Sequence, residues 1–221
     1  MPLSPSICGV ILSAGFSSRM GRDKALLPWP PVAEGTPAAN TFLGATIDLL
    51  QAYTDLVIVV AGKNEPAITP VVYAHGAFLV VNRQAERGQF SSLQVGLQEV
   101  LNHGRDAAFV ALIDRPPVLP GTIRQLREAF LYADPDVWAV VPEATRDGQA
   151  VHGHPILISL EMMRAFQHAP VTATARDVEH EHQQHIRYVP VDDPRVGVNI
   201  DTPEDYARLA SADMISSEKQ V

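Results

Sequence analysis

The sequence predicts an α/β fold of three layers, in which helices cover both faces of a mainly parallel β-sheet. Apolar runs alternate with amphipathic segments along most of the 221 residues. The connections between them are short, as expected when each helix returns the chain to the next parallel strand. Runs such as residues 56–61 are apolar throughout, which is typical of strands buried on both faces.

The first two thirds of the chain carry the regular part of this pattern. We expect strands at residues 7–12, 56–61, 78–81, 107–113 and 137–141. We expect helices at residues 41–53, 65–75, 89–103 and 121–133. Pro70 should interrupt the second of these helices. The proline-rich segment 28–37 is expected to lack regular structure.

The last third is less regular. Strands are expected at residues 155–159, 186–191 and 196–200, and helices at residues 161–168 and 174–183. A final helix should begin at Pro203, with Thr202 as its N-cap. Repeats and linkers are absent from the sequence, so we expect one domain over residues 1–213 and a flexible tail over residues 214–221.

Composition and charge restrict the partners and the compartment. The chain has 17 basic and 25 acidic residues and a net charge of −8, which argues against a nucleic-acid polymer or an anionic membrane as the main partner. Cys8 is the only cysteine, as suits a reducing compartment. The N-terminus lacks a basic segment before its apolar run, and the apolar runs are too short to cross a bilayer. We therefore expect a cytoplasmic protein.

The loop after the first strand has the features of a triphosphate cradle. Small residues, Ser13, Ala14 and Gly15, follow the end of the strand at Leu12, and cations follow at Arg19, Arg22 and Lys24. Small residues let main-chain N–H groups approach a phosphate, and nearby cations neutralise it. The spacing is neither that of a P-loop nor that of a dinucleotide-binding fold.

Two further polar residues follow predicted strands. Asn82 and Asp114 each stand where a strand ends, and ligands of parallel sheets bind beyond those ends. Asp114 could hold Mg²⁺ against a nucleotide's phosphates, because Mg²⁺ prefers oxygen ligands and takes few of them from the protein. A turn or capping role is the alternative for an aspartate before Arg115-Pro116-Pro117.

Residues 12–24, which read LSAGFSSRMGRDK, resemble the signature L-x-[AG]-G-x-[SG]-x-R-M-G-x-x-K of the MobA-like nucleotidyltransferases. Four later segments also resemble motifs of that family: Asn82 with GQFSSL at 88–93, LIDRP at 112–116, GHP at 153–155 and NIDTPED at 199–205. The resemblance implies a nucleotide-diphospho-sugar-transferase fold, which is Rossmann-like and of GT-A type. It also implies transfer of a nucleotidyl group from an NTP to an acceptor phosphate, with release of pyrophosphate.

The resemblance also implies a role for particular residues. Catalysis would fall to Arg19, Lys24 and Asp114, with Mg²⁺ or Mn²⁺ bound by Asp114 and Asp201, and His154 would border the acceptor. The nucleotide would be bound by Leu12, Ser13, Ala14, Gly15, Lys24, Asn82 and Ser92. Helix capping is the alternative for Asp201 and Ser92. Arg115 replaces the glutamine that is usual in the family, which leaves its neighbouring contact open.

Within the family, Ser13-Ala14-Gly15 is similar to the A-A-G of the molybdenum-cofactor cytidylyltransferases. This similarity favours CTP as the NTP, molybdopterin as the phosphate acceptor and a molybdoenzyme as maturation partner. The alternatives are a GTP-dependent guanylyltransferase, a nucleotidyltransferase for sugar or alditol phosphates, and a non-catalytic accessory protein that binds nucleotide or cofactor. The histidines of residues 180–185 fit a solvated helix face better than a zinc site.

Overall fold

The structure is a computed structural model, and it describes residues 5–15, 19–32 and 39–209. Its strands are β1 (Ile7–Leu12), β2 (Pro28–Trp29), β3 (Asn40–Thr41), β4 (Leu56–Ala61), β5 (Phe78–Val81), β6 (Ala107–Leu112), β7 (Ala139–Arg146), β8 (Gln149–His152), β9 (Ile156–Ser159) and β10 (Ile186–Pro190). Its helices are α1 (Phe42–Gln51), α2 (Glu65–Ala74), α3 (Gln89–Asn102), α4 (Pro120–Leu131), α5 (Leu160–His168), α6 (Ala175–Glu181) and α7 (Pro203–Leu209).

One large sheet organises the described part of the chain, with strand order β10-β7-β9-β6-β1-β4-β5 and β8 paired to β7. β1 lies in parallel register between β4 and β6, so that Val10 is opposite both Ile58 and Val110. β9 runs antiparallel to its neighbours β6 and β7. The sheet is therefore mixed but mainly parallel, and the predicted α/β class is confirmed.

The sheet has a buried core on each face. Along β1, Ile7 and Ile11 belong to one core, and Cys8, Val10 and Leu12 belong to the other. Helices α1, α2, α4 and α7 cover the first face, and α3, α5 and α6 cover the second. Because both faces are covered, the strands carry continuous apolar runs rather than alternating ones. This arrangement is the predicted three-layer α/β/α architecture.

Two predictions based on proline were wrong. Pro28 and Trp29 form a two-residue strand that pairs antiparallel with β3, at the start of the segment 28–37 that was expected to be irregular; residues 33–37 of that segment lie outside the described residues. The Trp29 ring packs edge-on against Phe42 with 5.2 Å between centroids, a tertiary contact that local sequence does not reveal. Helix α2 continues through Pro70. Burial of Ile68 and Val72 in the core offsets the roughly 3 kcal/mol that an internal proline costs.

The strand predicted at residues 196–200 is also absent: residues 194–197 form a turn, and residues 198–200 have no regular secondary structure. The side chains of Val196, Val198 and Ile200 are nevertheless buried, so the apolar alternation of this segment reflects burial and not a strand.

The hairpin of β7 and β8 was not predicted from the sequence. Its turn is Asp147-Gly148, with φ of 52° and 75°, and Asp-Gly is a common signal for such a turn. The tail predicted at residues 214–221 lies outside the described residues, and the single-domain boundary stays a prediction.

Candidate nucleotide-binding site

A cavity of about 350 Å³ opens where β1 and β6 end and α3 begins. It brings together eight of the predicted site residues: Leu12, Ala14, Gly15, Arg19, Lys24, Ser92, Asp114 and Asp201. It is also lined by five residues that were not among the predicted site residues: Ala85, Glu86, Gly88, Gln89 and Ile113. The convergence follows from the parallel sheet, because the carboxyl ends of neighbouring strands meet at one edge.

The loop after β1 is held in place by Asn64, which sequence reasoning also missed. The side-chain amide of Asn64 donates to the Ser13 carbonyl at 2.9 Å and to the Asp23 carboxylate at 2.8 Å. A Cβ on Gly62 would lie 2.7 Å from the Ala14 carbonyl oxygen, so only glycine lets the two chain segments approach so closely. The polar residues that follow β4 at the same sheet edge were a signal for this support.

Two cations of this loop converge on one carboxylate oxygen. Arg19 Nη2 and Lys24 Nζ each lie 3.1 Å from Asp201 Oδ1. The Lys24 side chain is only 12% exposed, whereas that of Arg19 is 71% exposed. Solvent therefore screens the charge of Arg19 much more than that of Lys24. The arrangement concentrates positive charge at the cavity and balances it with Asp201.

Asp114 provides a test of whether the site suits a divalent cation. Its Oδ1 atom is buried and has no hydrogen-bond partner among the described residues. A buried carboxylate oxygen without a partner is costly, and a cation would relieve that cost. The described residues contain no group of three or more His, Cys, Asp or Glu side chains that could hold a metal. Asp114 and Asp201 alone still suit Mg²⁺ or Mn²⁺, because such ions often take one or two carboxylates together with substrate phosphates.

The start of α7 leaves the Asp201 carboxylate available to the cavity. The Asp205 carboxylate accepts from the main-chain N–H groups of Asp201 at 3.0 Å and Thr202 at 2.9 Å. These bonds lower the pKa of Asp205 to about 2. Thr202 Oγ1 accepts from the Asp205 N–H at 3.2 Å, as expected of the predicted N-cap. Capping is therefore performed by Thr202 and Asp205, and the Asp201 side chain points to Lys24 and Arg19.

Asn82 supports the site but does not line the cavity. It is buried, and its amide nitrogen donates to Ser91 Oγ at 2.9 Å and to Ser92 Oγ at 3.0 Å. Its amide oxygen accepts from the Gln84 N–H at 2.9 Å. The polar atoms of Asn82 thus bind the protein and shape the loop before α3. A direct contact between Asn82 and a nucleotide stays a prediction.

Ser13 and His154 also lie apart from the cavity lining. Ser13 Oγ is buried and has no hydrogen-bond partner among the described residues. His154 lies in a separate small cavity beside Arg115, with Nδ1 3.2 Å from the Val110 carbonyl oxygen. Burial lowers the pKa of His154 to about 4, so the imidazole is neutral at pH 7. It cannot act there as a cation for a phosphate, and its acceptor-side role stays a prediction.

Comparison with known proteins places the chain in a family. Residues 9–186 match the family model of the MobA-like NTP transferase domain. The chain belongs to the MobA-like NTP transferase family. The residues that line the cavity described above lie within the matched region, except for Asp201.

Curated relatives of this MobA-like NTP transferase include proteins named for two different activities. A probable molybdenum cofactor guanylyltransferase of Mycobacterium avium (strain 104) is 31% identical over 123 residues, 56% of this chain and 57% of that protein. The chain thus spans little more than half the length of that relative. The nicotine blue oxidoreductase of Paenarthrobacter nicotinovorans is 27% identical over 209 residues, 93% of this chain and 97% of that protein.

Solved structures share the fold of this MobA-like NTP transferase. Rv0371c of Mycobacterium tuberculosis H37Rv superposes with a TM-score of 0.73 and 29% identity, over 92% of this chain and 97% of that one. Another crystal structure of Rv0371c, at TM-score 0.70 and 28% identity, is a complex with manganese and covers 92% and 97% of the two chains. Within the part of the chain that the structure describes, we find no helix able to span a membrane; a cytoplasmic location stays a prediction.

Proposed function

We propose that this protein transfers the nucleotidyl group of an NTP to the phosphate of a molybdopterin-type acceptor and releases pyrophosphate. One observation carries the proposal: Lys24 and Arg19 meet Asp201 in the cavity that Asp114 also lines, and Asp114 Oδ1 has no hydrogen-bond partner among the described residues. Cations for a polyphosphate and carboxylates for a divalent cation are the two requirements of phosphoryl-group chemistry. The names of the guanylyltransferase relatives support the acceptor.

The chain's own residues would act by positioning and charge. A phosphate monoester is mostly dianionic near pH 7, because its second pKa is about 6, so the acceptor needs no general base. In the free protein Lys24 and Arg19 bind the Asp201 carboxylate, and on NTP binding they would bind the phosphates instead. Asp114 and Asp201 would then hold the divalent cation. When bound, that cation supplies charge neutralisation at the phosphates.

We propose GTP rather than CTP as the nucleotide. Three curated relatives, 29–31% identical, are named as guanylyltransferases, and Glu86 lines the cavity. Guanine presents adjacent N–H donors on one edge, which suit a carboxylate better than the single amino group of cytosine. The opposing observation is the similarity of Ser13-Ala14-Gly15 to the cytidylyltransferase loop.

We assign the acceptor to the side of the cavity opposite Glu86. The β6–β9 pairing ends with Val110 opposite Ile156, and His152 lies four residues before Ile156, on β8. His152 Nε2 lies 2.8 Å from Glu143 Oε2. The His152 ring stacks on Tyr188 at 4.1 Å and 20°. Exposed aromatic rings beside a carboxylate suit a flat heterocycle with N–H donors better than a sugar phosphate.

The test is a pyrophosphate-release assay with each of the four NTPs and Mg²⁺, using molybdopterin and, separately, ribitol phosphate or glucose 1-phosphate as acceptor. Release with GTP and molybdopterin is the expected result. Release with CTP would refute the base assignment alone, and release with a sugar or alditol phosphate would refute the acceptor. If the protein binds nucleotides but releases no pyrophosphate with any pair, the accessory-protein alternative replaces the enzyme.

A further inference from the structure

Two buried residues of opposite charge precede Asp201 in the chain, and the sequence did not predict their burial. Asp193 and Arg195 are each only 2% exposed, although charged residues are rarely buried so deeply. They belong to the segment between β10 and α7, which leads into Asp201. Neither side chain lines the cavity.

Asp193 ties this segment to the chain that follows Asp114. Its Oδ2 atom accepts from the Leu119 N–H and from Thr122 Oγ1, both at 2.7 Å. Its Oδ1 atom accepts from the Arg195 N–H at 2.9 Å. The carboxylate therefore fixes the first turn of α4 and the bend of its own loop at the same time.

Arg195 extends the same connection to a third segment. Its Nη1 atom donates to the Pro117 carbonyl at 3.1 Å. Its guanidinium lies over the ring of Trp29, 5.4 Å from the centroid, a contact in which cation and ring attract each other. Trp29 belongs to β2, which follows Lys24 closely in the chain. Arg195 thus contacts two other segments, the one that carries Asp114 and the one that carries Lys24. Its own segment leads to Asp201.

Further bonds link the same two segments closer to the cavity. The Ile200 N–H donates to the Asp114 carbonyl at 2.8 Å. Arg115 Nη1 lies 3.5 Å from the Val198 carbonyl oxygen. Residues 114–119 and 193–201 are therefore joined along their length, with Asp114 and Asp201 at the cavity end. A shift of one segment would change the separation of the two carboxylates.

Stability alone is a weak reason to bury these two charges. The described residues show no side-chain ion pair between them: Asp193 accepts from neutral N–H and O–H groups, and Arg195 donates to a carbonyl. Desolvation of a carboxylate whose hydrogen-bond donors are neutral is costly. We propose that Asp193 and Arg195 are positioning residues that fix the Asp114 and Asp201 carboxylates at the spacing a divalent cation requires. The inference rests on the metal-dependent function proposed above and deepens it.

The experiment measures Mn²⁺ binding to the nucleotide-free protein by electron paramagnetic resonance. Arg195→Lys keeps the charge but loses the planar fork of donors, and Asp193→Asn keeps the shape but loses the charge. Mutation of residues that orient metal ligands typically lowers metal affinity by about 10–100-fold. We expect the Mn²⁺ affinity of both variants to fall by that amount. Without metal, amide exchange at Leu119 and Ile200 should become faster.

The matched control is Asp106→Asn. The Asp106 carboxylate also joins distant segments, since it accepts from the Ser6 N–H at 2.8 Å and Ser6 Oγ at 2.7 Å, but it lies at the start of β6, at the opposite sheet edge. Its Mn²⁺ affinity should equal that of the wild type. If Asp106→Asn weakens Mn²⁺ binding as much as Asp193→Asn does, general destabilisation explains both and the inference is overturned.

The remaining outcomes separate this inference from the proposed function. If wild-type protein binds Mn²⁺ and releases pyrophosphate while both variants bind Mn²⁺ equally well, only the positioning role is refuted. If the wild type binds no Mn²⁺ and has no turnover, the proposed function fails as well. Should Arg195→Lys or Asp193→Asn fail to fold, Thr122→Val replaces them. It removes one bond to Asp193 and should still weaken Mn²⁺ binding measurably; unchanged binding would count against the inference.

Discussion

The main-chain N–H of Ile200 donates a hydrogen bond to the main-chain carbonyl of Asp114 at 2.8 Å. Ile200 and Asp114 are far apart in the sequence. Their bond places Asp201, which follows Ile200, beside the end of β6. The cavity therefore receives Asp114 from the strand edge and Asp201 from the turn before α7. Asp114 and Asp201, the two predicted metal ligands, thus line the same cavity.

Asp114→Asn tests the metal role with little change in shape. The variant lacks the charge that a divalent cation would need, so kcat for pyrophosphate release should fall by at least about 100-fold while the thermal unfolding temperature changes little. Asp134→Asn, at an exposed aspartate between α4 and β7, is the control and should keep wild-type kcat. Near-normal turnover of Asp114→Asn with Mg²⁺ would show that the metal is not held by this carboxylate.

Lys24→Ala and Arg22→Ala distinguish a specific cation from general positive charge. Lys24 lines the cavity, whereas the Arg22 guanidinium lies over the Tyr206 ring, 5.7 Å from the centroid. Loss of a charged hydrogen bond to phosphate should raise the KM for NTP by about 10–100-fold in Lys24→Ala. The KM of Arg22→Ala should stay within about threefold of wild type. Equal defects in steady-state kinetics would contradict the assignment of Lys24.

Glu86→Gln tests whether Glu86 recognises the base of the nucleotide. Glutamine keeps the size of the side chain but replaces one carboxylate oxygen with a donor, which opposes the N–H edge of guanine. We expect the ratio of kcat/KM for GTP over that for CTP to fall by about tenfold. Glu99→Gln, near the far end of α3, should leave the ratio unchanged. A constant ratio in Glu86→Gln would place base recognition elsewhere.

Tyr188→Leu tests the acceptor side. Tyr188 is 38% exposed and stacks on His152; loss of the ring should raise the KM for the acceptor by up to about tenfold, with the KM for NTP unchanged. The chain offers a matched control in Phe78, which is 52% exposed and packs on His103 at the other end of the sheet. If Phe78→Leu and Tyr188→Leu affect acceptor use equally, the stacked pair has no particular role.

His154 makes stability depend on pH. Burial lowers its folded pKa from 6.5 to about 4, so below pH 6.5 the unfolded chain takes up a proton that the folded protein does not. Stability is therefore complete above pH 6.5 and is lost as the pH falls towards 4. From pH 7.5 to 5 this amounts to about 2 kcal/mol of unfolding free energy.

Urea unfolding of wild type and His154→Gln at pH 7.5 and 5 measures this term. The variant should lose about 2 kcal/mol less than the wild type over this interval. His103→Gln, at an exposed histidine, should behave as wild type. An identical loss in His154→Gln and wild type would mean that His154 does not carry the pH dependence.

Local sequence predicted most of the regular elements, because burial on both faces and helical periodicity are written into neighbouring residues. β1, β4 and β5 have the predicted bounds. The errors fall where distant contacts outweigh local preference: Pro70 remains inside α2, and Trp29 joins a strand because it packs on Phe42. Residues 196–200 alternate like a strand, but they contribute buried side chains to the core from a turn and the irregular chain that follows it.

The sequence by itself determined that small residues and cations follow β1, and that Asp114 and Asp201 stand at the ends of elements. It could do so because a parallel sheet gathers the ends of its strands. Only the tertiary structure decided that Asn82 and Asn64 bind the protein's own groups, that His154 is neutral away from the cavity, and that Asp193 and Arg195 are buried together. Hydrogen-bond partners and burial depend on residues distant in sequence, and no local pattern encodes them.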